Sequence, residues 1–277
     1  MKNKINLPKY WKFFTLGFFM LSWIVLVFFM DYPEWVLLIE LGVYLIVNAL
    51  IFYKYTLGII GNYWYTIRHF EKAYKYFDKA VKKGTHHVKA LYLYALRLLQ
   101  DGNGKEALKY FELAEKYNCS VLMDKYIILS KSSCYWVMGE IDKAIETLTG
   151  LLKKYDYIST DAYTTLGYLY FLKDDLESAE EYTKKALDDN SEHAPAWDNL
   201  GQIRYKQGNF SEAKDHFQKA LSIKDLPDSL YFLGLIYEKE GNKEEAKSCY
   251  EKALNCNISA LNTVTREEIS DRIRDLV

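Results

Sequence analysis

The feature that most constrains the fold of this chain is a short pattern of bulky and small residues that recurs along it. The clearest copy lies within residues 196–221 and consists of Trp197, Leu200, Gly201, Ala213, Phe217 and Ala220. Spacings of three and four residues place side chains on one face of an α-helix. The pattern therefore predicts two short amphipathic helices that are joined by a Gly-Asn turn. The small residues would let the two backbones approach closely.

The pattern recurs at a nearly fixed period. Ala179, Ala213 and Ala246 occupy the same place in successive copies, 34 and 33 residues apart. Weaker copies precede them, and one step is longer by three residues, which we place in the loop at 118–122. The series predicts six units, over residues 54–87, 88–121, 125–158, 160–193, 194–226 and 227–259. One unit cannot bury its apolar face alone, so we expect neighbouring units to stack.

This pattern resembles the tetratricopeptide repeat, a helix-turn-helix of about 34 residues with Trp, Leu-Gly, Tyr, Ala, Phe and Pro at fixed places. The sequence departs from it at Arg204, where Tyr is usual, and at Asp225, where Pro closes the unit. The resemblance implies an all-α, right-handed solenoid over residues 54–262. Thr265 and Glu268 form a capping-box pattern, which predicts a capping helix at residues 263–277.

The N-terminal quarter has a different composition. Residues 1–12 are basic, residues 13–30 contain no charge, residues 31–34 form an acidic turn, and residues 35–53 are apolar again. Eighteen apolar residues meet the length needed to cross a bilayer. Basic residues flank the two stretches but are absent from the turn, which by the positive-inside rule predicts a transmembrane hairpin with cytoplasmic ends. The predicted location is a membrane, with bacterial cytoplasmic membrane favoured, and the repeats in the cytoplasm.

Two polar residues interrupt the second apolar stretch. Glu40 and Asn48 could form an intramembrane polar contact that pairs helices or protomers. The alternative is that Glu40 reaches the headgroups and Asn48 bonds within its own hairpin. A homo-oligomer is compatible with either interpretation.

The sequence offers no chemistry for catalysis. No phosphate-binding loop, dinucleotide-binding motif or zinc-protease motif is present. The five histidines fall in different units and the four cysteines lack metal-ligand spacing. We therefore predict no enzyme activity, no cofactor and no metal site. The formal net charge of −1 argues against a nucleic-acid partner.

The resemblance implies that the first helix of each unit lines a concave groove that binds peptides. By repeat register, the predicted groove residues are Tyr92, Leu96, Tyr126, Leu129, Trp136, Tyr168, Phe171, Tyr205 and Tyr231. Several of them could instead pack between repeats. The predicted function is a membrane-anchored scaffold that binds a partner protein or peptide. The alternative is an assembly subunit that associates through the hairpin and uses the repeats as a spacer.

Overall fold

The computed structural model describes residues 34–117, 119–155 and 159–276. The regular structure of these residues is helical. In chain order the helices are α1 (Glu34–Thr66), α2 (Phe70–Lys82), α3 (Val88–Gln100), α4 (Gly104–Glu115), α5 (Val121–Val137), α6 (Ile141–Tyr155), α7 (Thr160–Leu172), α8 (Leu176–Asp189), α9 (Ala194–Lys206), α10 (Phe210–Ile223), α11 (Pro227–Lys239), α12 (Lys243–Asn255) and α13 (Arg266–Asp275).

The chain forms two compact units. Unit 1 comprises Met1–Leu96 and Lys109–Ile127, and unit 2 comprises Arg97–Leu108 and Ile128–Val277. In unit 2, α7 packs against α8, α9 against α10 and α11 against α12. The first helices of these pairs, α7, α9 and α11, also contact one another. Together they form a continuous surface, which we call the first-helix layer (Thr160–Leu172, Ala194–Lys206 and Pro227–Lys239).

Glycines inside the first helices set the distance within each pair. A Cβ atom on Gly201 would lie 2.5 Å from the ring of Phe217, and one on Gly234 would lie 2.4 Å from the ring of Tyr250. Such distances are well below van der Waals contact, so only glycine admits the large ring of the second helix. The close approach that the repeat pattern predicted is confirmed at these positions.

The turns between paired helices need left-handed backbone. Gly208 and Gly241, which follow α9 and α11, have φ of 80° and 81°. In the pair α7–α8 the equivalent residue is Asp174, with φ of 66°. Glycine and, less readily, Asp adopt this conformation, which ends a helix and reverses the chain. The turns predicted at these three places are confirmed.

In unit 1, α1 and α2 repeat the same packing. A Cβ atom on Gly61 would lie 2.6 Å from the ring of Phe77, and Ala73 and Phe77 are fully buried. Leu57, one turn before Gly61, is also buried. The second half of α1 is therefore the first helix of a repeat pair, although it is continuous with the apolar residues that precede it.

The predicted transmembrane span at 35–53 and the predicted membrane location are wrong. In the part of the chain that the structure describes, no helix has the length and apolar character to cross a membrane. The predicted span at 35–53 has no end at residue 53, because Lys54 does not interrupt the helix and α1 continues to Thr66. Of the apolar residues of α1 that follow residue 53, Leu57 is buried, in the half of the helix that forms the repeat pair with α2. The basic segment 1–12, the first predicted span 13–30 and residues 31–33 of the turn lie outside the described residues.

The capping box before α13 is confirmed. The backbone N–H of Glu268 donates to Thr265 Oγ1 at 3.2 Å, and the N–H of Thr265 donates to Glu268 Oε2 at 2.7 Å. Ile269 of α13 is fully buried against α12 and Val264. Residues 257–264, which we call the return segment, connect the two last helices. Val264 packs with Ile269 at the cap, whereas Asn262 and Thr263 contact the first-helix layer.

Candidate functional site

A cavity of about 220 Å³ lies between the first-helix layer and the return segment in unit 2. Helical spacing explains the contribution of the layer, because Thr164 and Tyr168 are four residues apart on α7, as are Asp198 and Gln202 on α9. The lining residues are Trp136, Thr164, Thr165, Tyr168, Pro195, Asp198, Asn199, Gln202, Leu226, Asp228, Leu261, Asn262 and Thr263. The site therefore combines residues of four repeats with the chain's own C-terminal region.

Asp228 holds the return segment at one end. Asn262 Nδ2 donates to Asp228 Oδ2 at 2.8 Å, and the backbone N–H of Val264 donates to Asp228 Oδ1 at 3.0 Å. Asp228 lies in the first turn of α11 and is only 8% exposed. Both of its oxygens thus accept hydrogen bonds from the return segment in a nearly dry environment.

Thr263 joins a chain of hydrogen bonds that includes residues of three helices, α7, α9 and α11. Its hydroxyl donates to Gln202 Oε1 at 3.3 Å, so the bond between Thr263 Oγ1 and Tyr168 Oη, at 3.0 Å, takes its proton from Tyr168. Gln202 Nε2 in turn donates to Asp198 Oδ2 at 2.7 Å, and Ser229 Oγ donates to Asp198 Oδ1. The hydroxyl of Thr263 therefore acts as both donor and acceptor.

The start of the return segment is held by backbone contacts. The N–H of Ala260 donates to the carbonyl oxygen of Gln100, which also belongs to unit 2, at 3.0 Å. Within the segment, Asn262 Oδ1 accepts from the Ser259 backbone N–H at 2.9 Å and from Ser259 Oγ at 3.3 Å. These bonds form a tight turn that presents the Asn262 amide to Asp228.

The acidic residues that line the cavity favour ligands that donate hydrogen bonds. Burial raises the pKa of Asp198 to about 7, with a smaller contribution from the charge of Asp228, while hydrogen bonds from Ser229 and Gln202 oppose the shift. Burial also raises the pKa of Asp228, against the hydrogen bonds of Asn262 and Val264. Among the described lining residues two are acidic and none is basic. A ligand with hydrogen-bond donors is therefore favoured over an anionic one.

Three of the predicted groove residues lie together. The rings of Trp136 and Tyr168 are 4.9 Å apart, and those of Tyr168 and Phe171 are 6.0 Å apart and stacked. Trp136 and Tyr168 line the cavity, whereas Lys206 lies over Phe171, with Nζ 4.9 Å from the ring centroid. Burial raises the pKa of Tyr168 to about 12, so its hydroxyl stays protonated as a donor at neutral pH.

Other predicted groove residues pack against neighbouring helices, either within a repeat or between repeats. Tyr205 lies 5.2 Å from Phe210 and 5.1 Å from Phe232, measured between ring centroids. Tyr231 contacts Tyr250 in the same way, at 5.7 Å. Leu129 packs against the core cluster of α6 and α7. These side chains stabilise contacts between helices rather than line the cavity.

The remaining predicted residues belong to unit 1, which includes α1. In unit 1, the ring of Tyr92 packs at 5.6 Å from that of Phe111, Leu96 is half-buried, and Tyr126 is 43% exposed. The backbone of Glu40 and of Asn48 belongs to α1, but the side chains of these two residues are outside what the structure describes.

Sequence reasoning missed Asp228, Asn262 and Thr263. Asp228 directly follows the proline that begins α11, a position where an acidic residue is favourable in any helix. The return segment has no periodicity, and the predicted boundary between the solenoid and the capping helix, at residues 262 and 263, falls within it. One signal could have singled it out, because residues 253–265 contain no charged side chain although the flanking helices are rich in them. A charge-free run of that length is consistent with a segment that packs against the protein.

The sequence and structure were compared with known proteins. Family models described as tetratricopeptide repeat match residues 61–118, 159–225 and 194–259, more than half of the chain. The curated proteins contain no match to the sequence. Proteins with this fold are generally non-enzymatic scaffolds that bind protein or peptide partners.

Several solved structures share the fold. A thermophilic tetratricopeptide protein of Thermus thermophilus is 21% identical, with a TM-score of 0.56 over 68% of this chain and 98% of its own. A tetratricopeptide repeat protein from Parabacteroides merdae is 16% identical, with a TM-score of 0.51 over 80% and 98% of the two chains. The APC/C hetero-tetramer Cut9-Hcn1 is 18% identical, with a TM-score of 0.60 over 95% of this chain and 52% of that one. The family models, together with the repeat register and the helix packing, show that the chain belongs to the tetratricopeptide repeat family.

Proposed function

We propose that the first-helix layer of unit 2 binds a segment of a partner protein and that the chain acts as a protein-interaction scaffold. The observation that supports this proposal is the return segment. It lies on the layer through hydrogen bonds to Tyr168, Gln202 and Asp228. A surface that holds one non-helical segment by side-chain and backbone bonds has the groups needed to hold another.

The lining of the cavity suits a peptide side chain. Trp136 and Tyr168 offer a large apolar area, and the buried polar groups around them would fix the orientation of what binds there. A volume of about 220 Å³ lies below the range of about 300–1,000 Å³ that is usual for sites of drug-sized ligands and cofactors. A side chain of a partner segment fits the space better than a whole cofactor does.

The alternative function, an assembly subunit in which the repeats only space components, depended on association through a membrane hairpin. That hairpin is the part of the prediction that the helices of the described residues contradict. The described contacts of the first-helix layer favour a role in binding. They place hydrogen-bonding side chains on this surface, and a solenoid that only separates other components does not need such groups there.

The double variant Trp136→Ala/Phe171→Ala tests this function. It removes the rings on either side of Tyr168, and we expect the full-length variant to retain its helical circular dichroism but to lose partners in quantitative affinity purification. The matched control is Tyr170→Ala/Tyr182→Ala, which removes a stacked ring pair, 5.3 Å between centroids, that lines no part of the cavity. The proposal is wrong if the first variant is folded and keeps every partner that the control keeps.

A further inference from the structure

The return segment contacts the first-helix layer through specific hydrogen bonds, as a bound peptide ligand would. Each of its two central polar side chains both donates and accepts a hydrogen bond. Asn262 donates to Asp228 and accepts from Ser259, while Thr263 donates to Gln202 and accepts from Tyr168. Each of these side chains thus makes a directional contact with the first-helix layer.

These paired roles restrict which side chains can take the two places. A lysine or arginine in place of Asn262 could donate to Asp228 but has no acceptor for Ser259, and an aspartate has no donor for Asp228 when ionised. An uncharged side chain that both donates and accepts satisfies both requirements. In the return segment these are the amide of Asn262, which also closes the turn at Ser259, and the hydroxyl of Thr263.

We infer that the return segment is an intramolecular mimic of the partner, which carries an uncharged, non-helical segment with an amide side chain followed by a hydroxyl side chain. Access of the partner to the first-helix layer then requires displacement of residues 257–264. This inference rests on the proposed function and names the chemistry that the same site recognises.

Both ends of the return segment are held outside the cavity. The Arg266 guanidinium donates to the carbonyl oxygens of Leu254 at 2.8 Å and of Cys256 at 3.1 Å, so it ties the two ends of the loop together. Val264, the last residue of the segment, is buried in one cluster with Ile269 of α13 and the core residues of α12. Displacement of Asn262 and Thr263 from the first-helix layer would therefore involve a loop whose C-terminal end stays packed with α13.

The tether makes the return segment a strong competitor. A segment held near its site by a short connection has an effective concentration in the millimolar range. A free peptide with the same contacts must compete with the segment. Its apparent Kd is its intrinsic Kd divided by the fraction of molecules in which the site is open, so its apparent affinity is lower. Release of the segment should therefore raise the affinity for a free copy of it.

The test measures binding of a fluorescently labelled peptide with the sequence of residues 257–265 to the full-length protein, by fluorescence anisotropy. The variant Asn262→Asp places a carboxylate against Asp228 and removes its donor, so we expect it to bind the peptide at least tenfold more tightly than the unaltered protein does. The control Asn257→Asp makes the same change at an exposed position of the segment and should leave the affinity unaltered. Thr263→Val provides a second release variant of almost identical shape.

The peptide itself tests the recognition rule. The same peptide carrying Asn262→Asp or Asn262→Lys should lose at least tenfold in affinity for the Asn262→Asp protein. Equal affinities of the release variants and the unaltered protein would overturn the inference, as would tight binding of the Lys-bearing peptide. Absence of peptide binding to both folded release variants would also overturn it. The proposed function would survive those results as long as Trp136→Ala/Phe171→Ala still loses partners, and it would fail separately if that variant keeps them.

Discussion

At the scale of the residue, the fold depends on where side chains are missing. Gly201 and Gly234 admit the rings of Phe217 and Tyr250, and each ring is fully buried where a β-carbon would otherwise stand. The spacing of small and bulky residues predicted this contact from sequence, because the same face of a helix recurs every three or four residues. The partner of Arg204 could not be predicted in this way, because spacing gives the face of a helix but not the neighbour it meets.

The first prediction concerns Gly201. We expect Gly201→Ala to lower the free energy of unfolding by about 1–3 kcal/mol, because the added methyl group overlaps the Phe217 ring and forces it or the helix to move. The measurement is urea unfolding followed by circular dichroism. Gly150→Ala is the matched control, since nothing lies within 4 Å of a Cβ atom there. It should raise the stability by up to about 1 kcal/mol through helix propensity. Equal effects of the two substitutions would contradict the packing argument.

At the scale of the element, periodicity and turn residues predicted the helices of unit 2, because the first helix of each pair is followed by a residue with left-handed backbone at which the chain reverses. These residues are Gly139, Asp174, Gly208 and Gly241. Two elements were not predicted correctly. The length of α1 could not be predicted, because its apolar residues continue directly into a repeat helix and the hydrophobic pattern marks no boundary between them. The return segment escaped because its position depends on hydrogen bonds to residues about 35 to 160 positions earlier in the chain.

The second prediction concerns the contact between α8 and α9. Arg204 donates two hydrogen bonds to Glu180, each of 2.7 Å, and these bonds lower the pKa of Glu180 to about 2. Since this pKa is depressed on folding, the stabilisation is present above the unfolded value of about 4.3 and is lost as the pH falls toward 2. We expect Glu180→Gln to lower the free energy of unfolding by about 1–3 kcal/mol at pH 7.

The pH dependence distinguishes this ion pair from a general loss of stability. The difference between Glu180→Gln and the unaltered protein should shrink when chemical unfolding is measured from pH 5 down to pH 3. Glu181→Gln is the control, because the Glu181 side chain is 59% exposed and its pair with Lys185 should contribute little. A difference at Glu180 that stays constant over this pH range would argue against the ion pair as its cause.

At the scale of the whole molecule, the chain is a repeat protein, and the binding surface that we propose combines several repeats with one non-helical segment. The family and its general role in protein interaction could be predicted from sequence because they depend on the repeat pattern. The site could be predicted only in part. Trp136 and Tyr168 were predicted from repeat register, whereas Asp228 and the return segment depend on where the chain goes after its last repeat helix.

The measurement that tests the central claim most directly is in-cell photo-crosslinking from position 136 of the full-length protein, in unaltered and Asn262→Asp forms. Position 182 serves as the control, since Tyr182 lies on a second helix and lines no part of the cavity. The account predicts a discrete protein adduct from position 136, more abundant in the Asn262→Asp form, and no such adduct from position 182. Absence of an adduct from position 136 in both forms, or the same adducts from 136 and 182, would contradict it.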